Sequence, residues 1–204
     1  TAPEPEETKT NSTIPILAGV ASALIVVLIV LAIIFIPKLT KSTGKEIACP
    51  NFLGKTQEEK QMALSSGFML SADNAHAVHP NHADKYDSEN RVTMNGGVVI
   101  KYNANQKYTT DGVSAAIFRK VCQKAGVPTQ SFANRSDIVG GSTLGNISNS
   151  HVSVNTVDIG LAQLAMHSAV ETAGVRDLEY MISAMTAFYN AEILSVSDGE
   201  YIVK

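Results

Sequence analysis

Twenty-one consecutive residues without a charge, Ile16 to Ile36 (ILAGVASALIVVLIVLAIIFI), constrain this chain more than any other feature. As a helix they would extend about 31 Å, the thickness of a bilayer's hydrocarbon core. A secretory leader would need a basic start and a small-residue cleavage site, whereas Glu4, Glu6 and Glu7 precede this run. Lys38, Lys41 and Lys45 follow it closely. The expectation is a single transmembrane helix at 16–36, with residues 1–15 a disordered acidic tail outside and residues 37–51 a juxtamembrane linker. The region from 52 to 204 is then placed in the cytoplasm.

Beyond residue 45 the charges are mixed, with acidic residues in slight excess and no dense basic cluster. Nucleic-acid binding has no electrostatic footprint here. Cys49 and Cys122 are the only cysteines and have no metal-ligand spacing.

From Phe52 onward strand and helix patterns alternate. Residues 57–66 read as a short helix, 67–73 as a buried strand ending on Asp73, and 98–102 as another strand. A helix over 110–125 is expected to bury Val113, Ala116, Ile117 and Val121, with Gly126 and Pro128 ending it. A short strand follows at 131–133 and a longer one at 153–159. The last helix is expected to open after His167 with Ser168 and Glu171 as a capping box and Leu178, Met181, Ile182 and Met185 as its apolar stripe. The predicted class is α/β, a sheet layered with helices, preceded by the transmembrane helix.

Residues that do chemistry in such sheets gather at strand ends and in the loops that follow. Asp73, His76, His79 and His82 fall within one short stretch. Asp73 follows an apolar run, where a carboxylate needs a cation or a partner. The plainer alternative is a loop with Asp73 capping a turn and solvated histidines. His167 is either a packed, hydrogen-bonded residue or one aimed at a metal. Lys101 sits in the apolar run GGVVIKY, either as an edge-strand guard against aggregation or as a cation for an anionic substrate. The glycines of Gly140-Gly-Ser-Thr-Leu-Gly either let the backbone approach a ligand closely or, more commonly, mark a tight turn.

Four blocks carry a family resemblance: SADNAHAVHPNHADK (71–85), VIKYNANQKYTTDGVSAAIFR (99–119), SFANRSDIVGGSTLGNIS (131–148) and TVDIGLAQLAMHSAVETAG (156–174). In order and spacing they resemble the aspartyl aminopeptidases, dinuclear zinc metallopeptidases, from about Phe52 to Tyr189. The resemblance implies a partial zinc-peptidase α/β fold and the removal of N-terminal Asp or Glu from peptides. It implies that Asp73 ligates one Zn2+ and His167 the other. Asp73, His76, Lys101 and Tyr108 are implied as substrate-binding residues. Val98 stands where relatives usually have Pro. The family's remaining metal ligands and its general-base Glu lie upstream of the matching region. The resemblance therefore implies one protein ligand per zinc and a catalytic domain that is incomplete by itself.

Two readings compete on sequence grounds. One is a metalloaminopeptidase, acting on peptides with acidic N-termini, that needs a missing half-domain and forms homo-oligomers as the family does. The other is a membrane-anchored remnant without activity, or a truncated fusion product.

Overall fold

A computed structural model of the chain describes residues 54–197 and 199–204. Helix α1 (Gln57–Ser65) opens the described region, and Thr56 and Glu59 form its capping box. Strand β1 (Phe68–Ala72) leads to the two-residue β2 (Ala75–His76) and a 3-10 turn over Pro80–Lys85. Then come β3 (Val98–Tyr102), α2 (Gly112–Lys124), β4 (Thr129–Ala133), α3 (Leu144–His151) and β5 (Asn155–Gly160). The short strands β6 (Ala162–Leu164) and β7 (Thr172–Ala173) precede α4 (Val175–Asn190), and a hairpin of β8 (Ile193–Ser197) and β9 (Glu200–Val203) ends the chain.

The main sheet runs β1-β5-β3-β4. β1 pairs parallel with β5 and β4 parallel with β3, while β3 and β5 are antiparallel. Because side chains alternate across a strand, the two faces have different fates. Leu70, Val98, Ile100, Val157 and Ile159 point to one face and pack on Ala115, Phe118 and Cys122 of α2 and Met181 and Ala184 of α4. The other face carries Ser71, Asp158, Lys101 and Phe132, with Ser71 in register with Asp158 and Lys101 with Phe132. Each buried aliphatic side chain on the first face stabilises the fold by about 1.5–3 kcal/mol before entropy is counted. The second face is where charge is concentrated.

The α/β class is observed, but the transmembrane part of the expected fold is corrected. No helix among the described residues is long and apolar enough to cross a membrane. The expected span at 16–36, the tail at 1–15 and the linker at 37–51 lie outside the described residues. What the structure supports is a mixed α/β fold, and the single-pass membrane placement that rested on the helix is withdrawn with it.

Two helices also differ from expectation. α2 buries Ser114, Ala115, Ile117, Phe118, Val121 and Cys122, a face rotated from the expected one, with Ala116 exposed. α4 begins at Val175, not after His167, because Glu171 is taken up elsewhere: its Oε1 accepts the His167 backbone N–H at 2.6 Å. The residue holding the start of α4 is Asp177, whose buried carboxylate accepts from Asn95 N–H at 2.6 Å and Gly97 N–H at 3.0 Å. Met181 and Ala184 face the core, whereas Leu178 and Ile182 are more than half exposed. Of the expected stripe Met181 is buried and Met185 packs half-buried against the core, so the inward face is rotated from the expected one and not reversed.

Candidate functional site

Asp73 directly follows β1, and its backbone N–H donates to Ile159 O at 2.9 Å, which continues the β1–β5 ladder for one more residue. The chain then turns across the end of β5. Gly160 makes that turn possible, since a Cβ there would stand 1.9 Å from Asp73 O. β2 carries His76 beyond the turn and pairs with β6, which leads into the turn holding His167. His167 adopts the left-handed backbone region (φ 69°), as does Ala165 (φ 57°). Such conformations are uncommon for non-glycine residues and cluster at sites where side-chain direction matters.

Lys101 enters from the sheet. β3 lies between β5 and β4, so the edge-strand guard reading of Lys101 does not hold. Its side chain is 2% exposed, and its Nζ lies 3.5 Å from Asp73 Oδ2 and 3.3 Å from Asn74 O. The ammonium also sits 4.8 Å above the centre of the Tyr108 ring, a cation–π arrangement. Burial lowers the lysine's pKa, and the negative charges of Asp73 and Asp158 oppose that shift.

Asp73, His76, Lys101, Tyr108 and His167 all line one pocket of about 310 Å3. Residues that are far apart in sequence thus converge on one cavity. His76 packs against Phe132, with ring centres 6.4 Å apart. Its pKa is lowered first by burial and then by the positive fields of His167 and Lys101, while Asp73 acts the other way. The phenol of Tyr108 is raised, chiefly by burial. Of the other expected histidines, His79 and His82 contact each other at 5.1 Å between ring centres and do not line the pocket.

Sequence reasoning missed the residue that braces this pocket from beneath. Asp158 is fully buried. Its Oδ2 accepts from Thr109 N–H at 2.6 Å and from Thr109 O–H at 2.7 Å, and its Oδ1 accepts from Thr143 O–H at 2.7 Å. One carboxylate therefore ties down both the segment carrying Tyr108 and the end of the Gly140–Ser142 loop, which also lines the pocket. The signal available in sequence was a carboxylate within the apolar run TVDIG, the same kind of anomaly that drew attention to Lys101. Gly145 permits the approach of α3, because a Cβ there would stand 2.6 Å from Ser71 Oγ and 3.0 Å from Asp158 Oδ1.

For a metal, the pocket offers the Asp73 carboxylate and the imidazoles of His76 and His167. Among the described residues no group of three or more His, Cys, Asp or Glu could hold a metal ion. Zinc normally takes three or four protein ligands. The described residues therefore do not complete a zinc site, though two of the expected donors open on one cavity.

Residues 48–189 match the family described as aminopeptidase I zinc metalloprotease (M18). The chain is 51% identical over 127 residues to "Probable M18 family aminopeptidase 2" of Pseudomonas aeruginosa (strain UCBPP-PA14), a match covering 62% of this chain and 30% of the relative. Its fold is similar to a chain in the cryo-EM structure of the Ape4 and Nbr1 complex, with TM-score 0.66 and 40% identity, covering 67% of this chain and 26% of that one. It is also similar to the Saccharomyces cerevisiae mApe1 dodecamer structure, with TM-score 0.57 and 25% identity over 64% of this chain and 28% of that one. The chain thus spans about a third of the length of the relatives it matches.

Proposed function

Because the chain belongs to the M18 family of aminopeptidase I zinc metalloproteases, we propose that its pocket forms the substrate-side part of an aminopeptidase site that prefers peptides with an N-terminal Asp or Glu. The observation that carries this reading is the buried Lys101 ammonium opening on the same cavity as Asp73, His76, Tyr108 and His167. A cation held this deep is costly to keep unless an anion regularly meets it.

In this proposal Lys101 receives the acidic side chain of the substrate's first residue. The Tyr108 ring beneath the ammonium fixes its position, and Asp73 holds it in place when no substrate is present. His76, whose pKa is lowered chiefly by burial, offers a ring nitrogen to hydrogen-bond the substrate backbone. Asp73 and His167 would be the zinc ligands this stretch contributes, and Asp73 would also border the substrate. The metal's own chemistry, water activation and carbonyl polarisation, calls for more ligands than the described residues bring together.

The reading is tested by binding. Titrating the protein with the dipeptides Asp-Ala and Leu-Ala should show at least tenfold tighter binding of the acidic one, and Lys101→Met should abolish that preference. Equal binding of both dipeptides to the unaltered protein would remove the acidic-substrate assignment.

The small number of metal donors among the described residues favours a second reading, a peptide-binding module without turnover. Release of the N-terminal residue from Asp-Ala, measured with and without added zinc, separates the two. Self-association fits either, since Val175, Leu178 and Ile182 form an exposed apolar stripe on α4 and a structural relative is a dodecamer.

A further inference from the structure

The residues lining the pocket lie at different depths. Lys101 is 2% exposed, whereas Ile138 is 41% and Val139 93% exposed, and all three line the same cavity. The ammonium is therefore at the floor and the two aliphatic residues are at the mouth. A ligand whose first side chain reaches Lys101 must leave past that mouth, so its second residue meets the rim.

The rim is held from both ends. Arg135 Nε donates to Asp137 Oδ1 at 2.6 Å and Nη2 donates to Oδ2 of the same carboxylate, while Nη1 donates to the carbonyl of Asp84. One guanidinium thus ties the start of the 136–142 loop to the turn that precedes Lys85 and Tyr86, two further lining residues. At the other end Thr143 is bonded to the buried Asp158. A loop anchored in this way loses little freedom when a ligand covers it.

The chemistry of the rim differs from that of the floor. Its cations already face carboxylates, Arg135 through the fork on Asp137 and Lys85 at 3.8 Å from Asp84 Oδ2. What stays open to a ligand is the aliphatic surface of Ile138 and Val139, with the half-buried Tyr86 and Met166 lining the same cavity. Apolar surface at the edge of a cavity gains by being covered. We propose that Ile138 and Val139 are specificity-determining residues that contact an apolar side chain on the ligand's second residue. The inference deepens the proposed function and rests on it: Lys101 reads the first residue and the anchored loop reads the second.

Dipeptide amides test this, because they carry no terminal carboxylate that could engage Lys85. Asp-Leu-amide, Asp-Gly-amide, Asp-Glu-amide and Leu-Gly-amide are titrated against the unaltered protein and a double variant, Ile138→Ser with Val139→Ser. Asp-Leu-amide should bind the unaltered protein about fivefold tighter than Asp-Gly-amide, and the variant should reduce that ratio to less than about twofold with Asp-Gly-amide binding unchanged. Equal binding of these two probes, a preference that survives the variant, or loss of Asp-Gly-amide binding in the variant would each overturn the role of Ile138 and Val139. Tighter binding of Asp-Glu-amide than of Asp-Leu-amide would also overturn it, by showing that the rim reads charge. In a measurement on the unaltered protein, the methyl resonances of Ile138 and Val139 should shift further with Asp-Leu-amide than with Asp-Gly-amide, and equal shifts would refute the contact. Asp-Gly-amide binding tighter than Leu-Gly-amide in any of these cases leaves the pocket assignment standing. Equal binding of that last pair removes the pocket assignment, and the inference falls with it.

Discussion

The Lys101 ammonium and the Asp73 carboxylate are 3.5 Å apart, yet the lysine side chain is 2% exposed and the aspartate 54%. The pair joins a buried cation to a largely solvated anion. Such an arrangement gives weak attraction and leaves the cation undercompensated, because water screens the carboxylate more than the ammonium. Lys101→Met should therefore stabilise the fold by about 1 kcal/mol while removing the acidic preference of the pocket. Chemical denaturation alongside dipeptide titration checks both. A loss of stability in Lys101→Met would show that Asp73, Asn74 and the Tyr108 ring together outweigh the cost of burying the ammonium.

The same pair has a pH consequence. Burial depresses the pKa of Lys101 in the folded state below its ordinary value of 10.5. Between the folded value and 10.5 the unfolded chain binds more protons at this position, so this group's contribution to stability rises with pH. Unfolding free energies measured at increasing alkaline pH should show that contribution, and Lys101→Met should lose it.

A second buried charge behaves differently, because neutral donors surround it. Asp158 accepts three hydrogen bonds from Thr109 and Thr143. Asp158→Ala leaves those donors without an acceptor beneath the sheet and should cost about 3–5 kcal/mol, whereas Thr143→Val should cost about 1–2 kcal/mol. Urea melts give the ordering, and equal costs for the two variants would mean that the Thr109 contacts contribute nothing.

How much of this was legible in the sequence depended on whether the signal was local. Strand β3 was readable because VVIKY is β-branched and lies between glycines and a polar loop, and α1 was readable from its capping residues. The start of α4 was not, because Ser168 and Glu171 satisfy the local capping pattern while the tertiary fold gives Glu171 to the His167 backbone. Likewise, the pattern in α4 fixes which residues share a face but not which face meets the sheet, and so Leu178 and Ile182 were expected inside. The site residues were found by motif and by chemical anomaly.

Gly160 provides a test of how the site is held. A methyl group at this position would meet the Asp73 carbonyl, a backbone atom that cannot rotate away. Gly160→Ala should cost about 3 kcal/mol and displace Asp73 from Lys101. A variant with unchanged stability and unchanged Asp-Ala binding would show that the turn after β1 relaxes freely.

Metal content follows from the donor count. With Asp73 and His167 as the expected ligands and no group of three among the described residues, zinc should bind weakly and leave on brief treatment with EDTA. Elemental analysis of the purified protein should find well below two zincs per chain. Two chelator-resistant zincs would require ligands from outside the described residues.

Cys122 supplies a measurement of the core that does not involve the pocket. The thiol is free and buried in the core cluster that holds Phe118 and the sheet's inner side chains, and burial pushes its pKa from 9.0 up to about 12. The thiolate is the reactive form, so in a Cys49→Ser background the protein should not react with iodoacetamide at pH 8 until it unfolds. The linkage runs opposite to that of Lys101: above pH 9 the unfolded thiol ionises while the folded one stays protonated. This group's contribution to stability therefore falls as pH rises from 9 toward 12, by up to about 1.4 kcal/mol per pH unit. Cys122→Ala should remove that decline at the cost of a small cavity. Rapid native-state alkylation at pH 8 would place Cys122 outside the α2–sheet core, and with it the packing that positions β3 and Lys101.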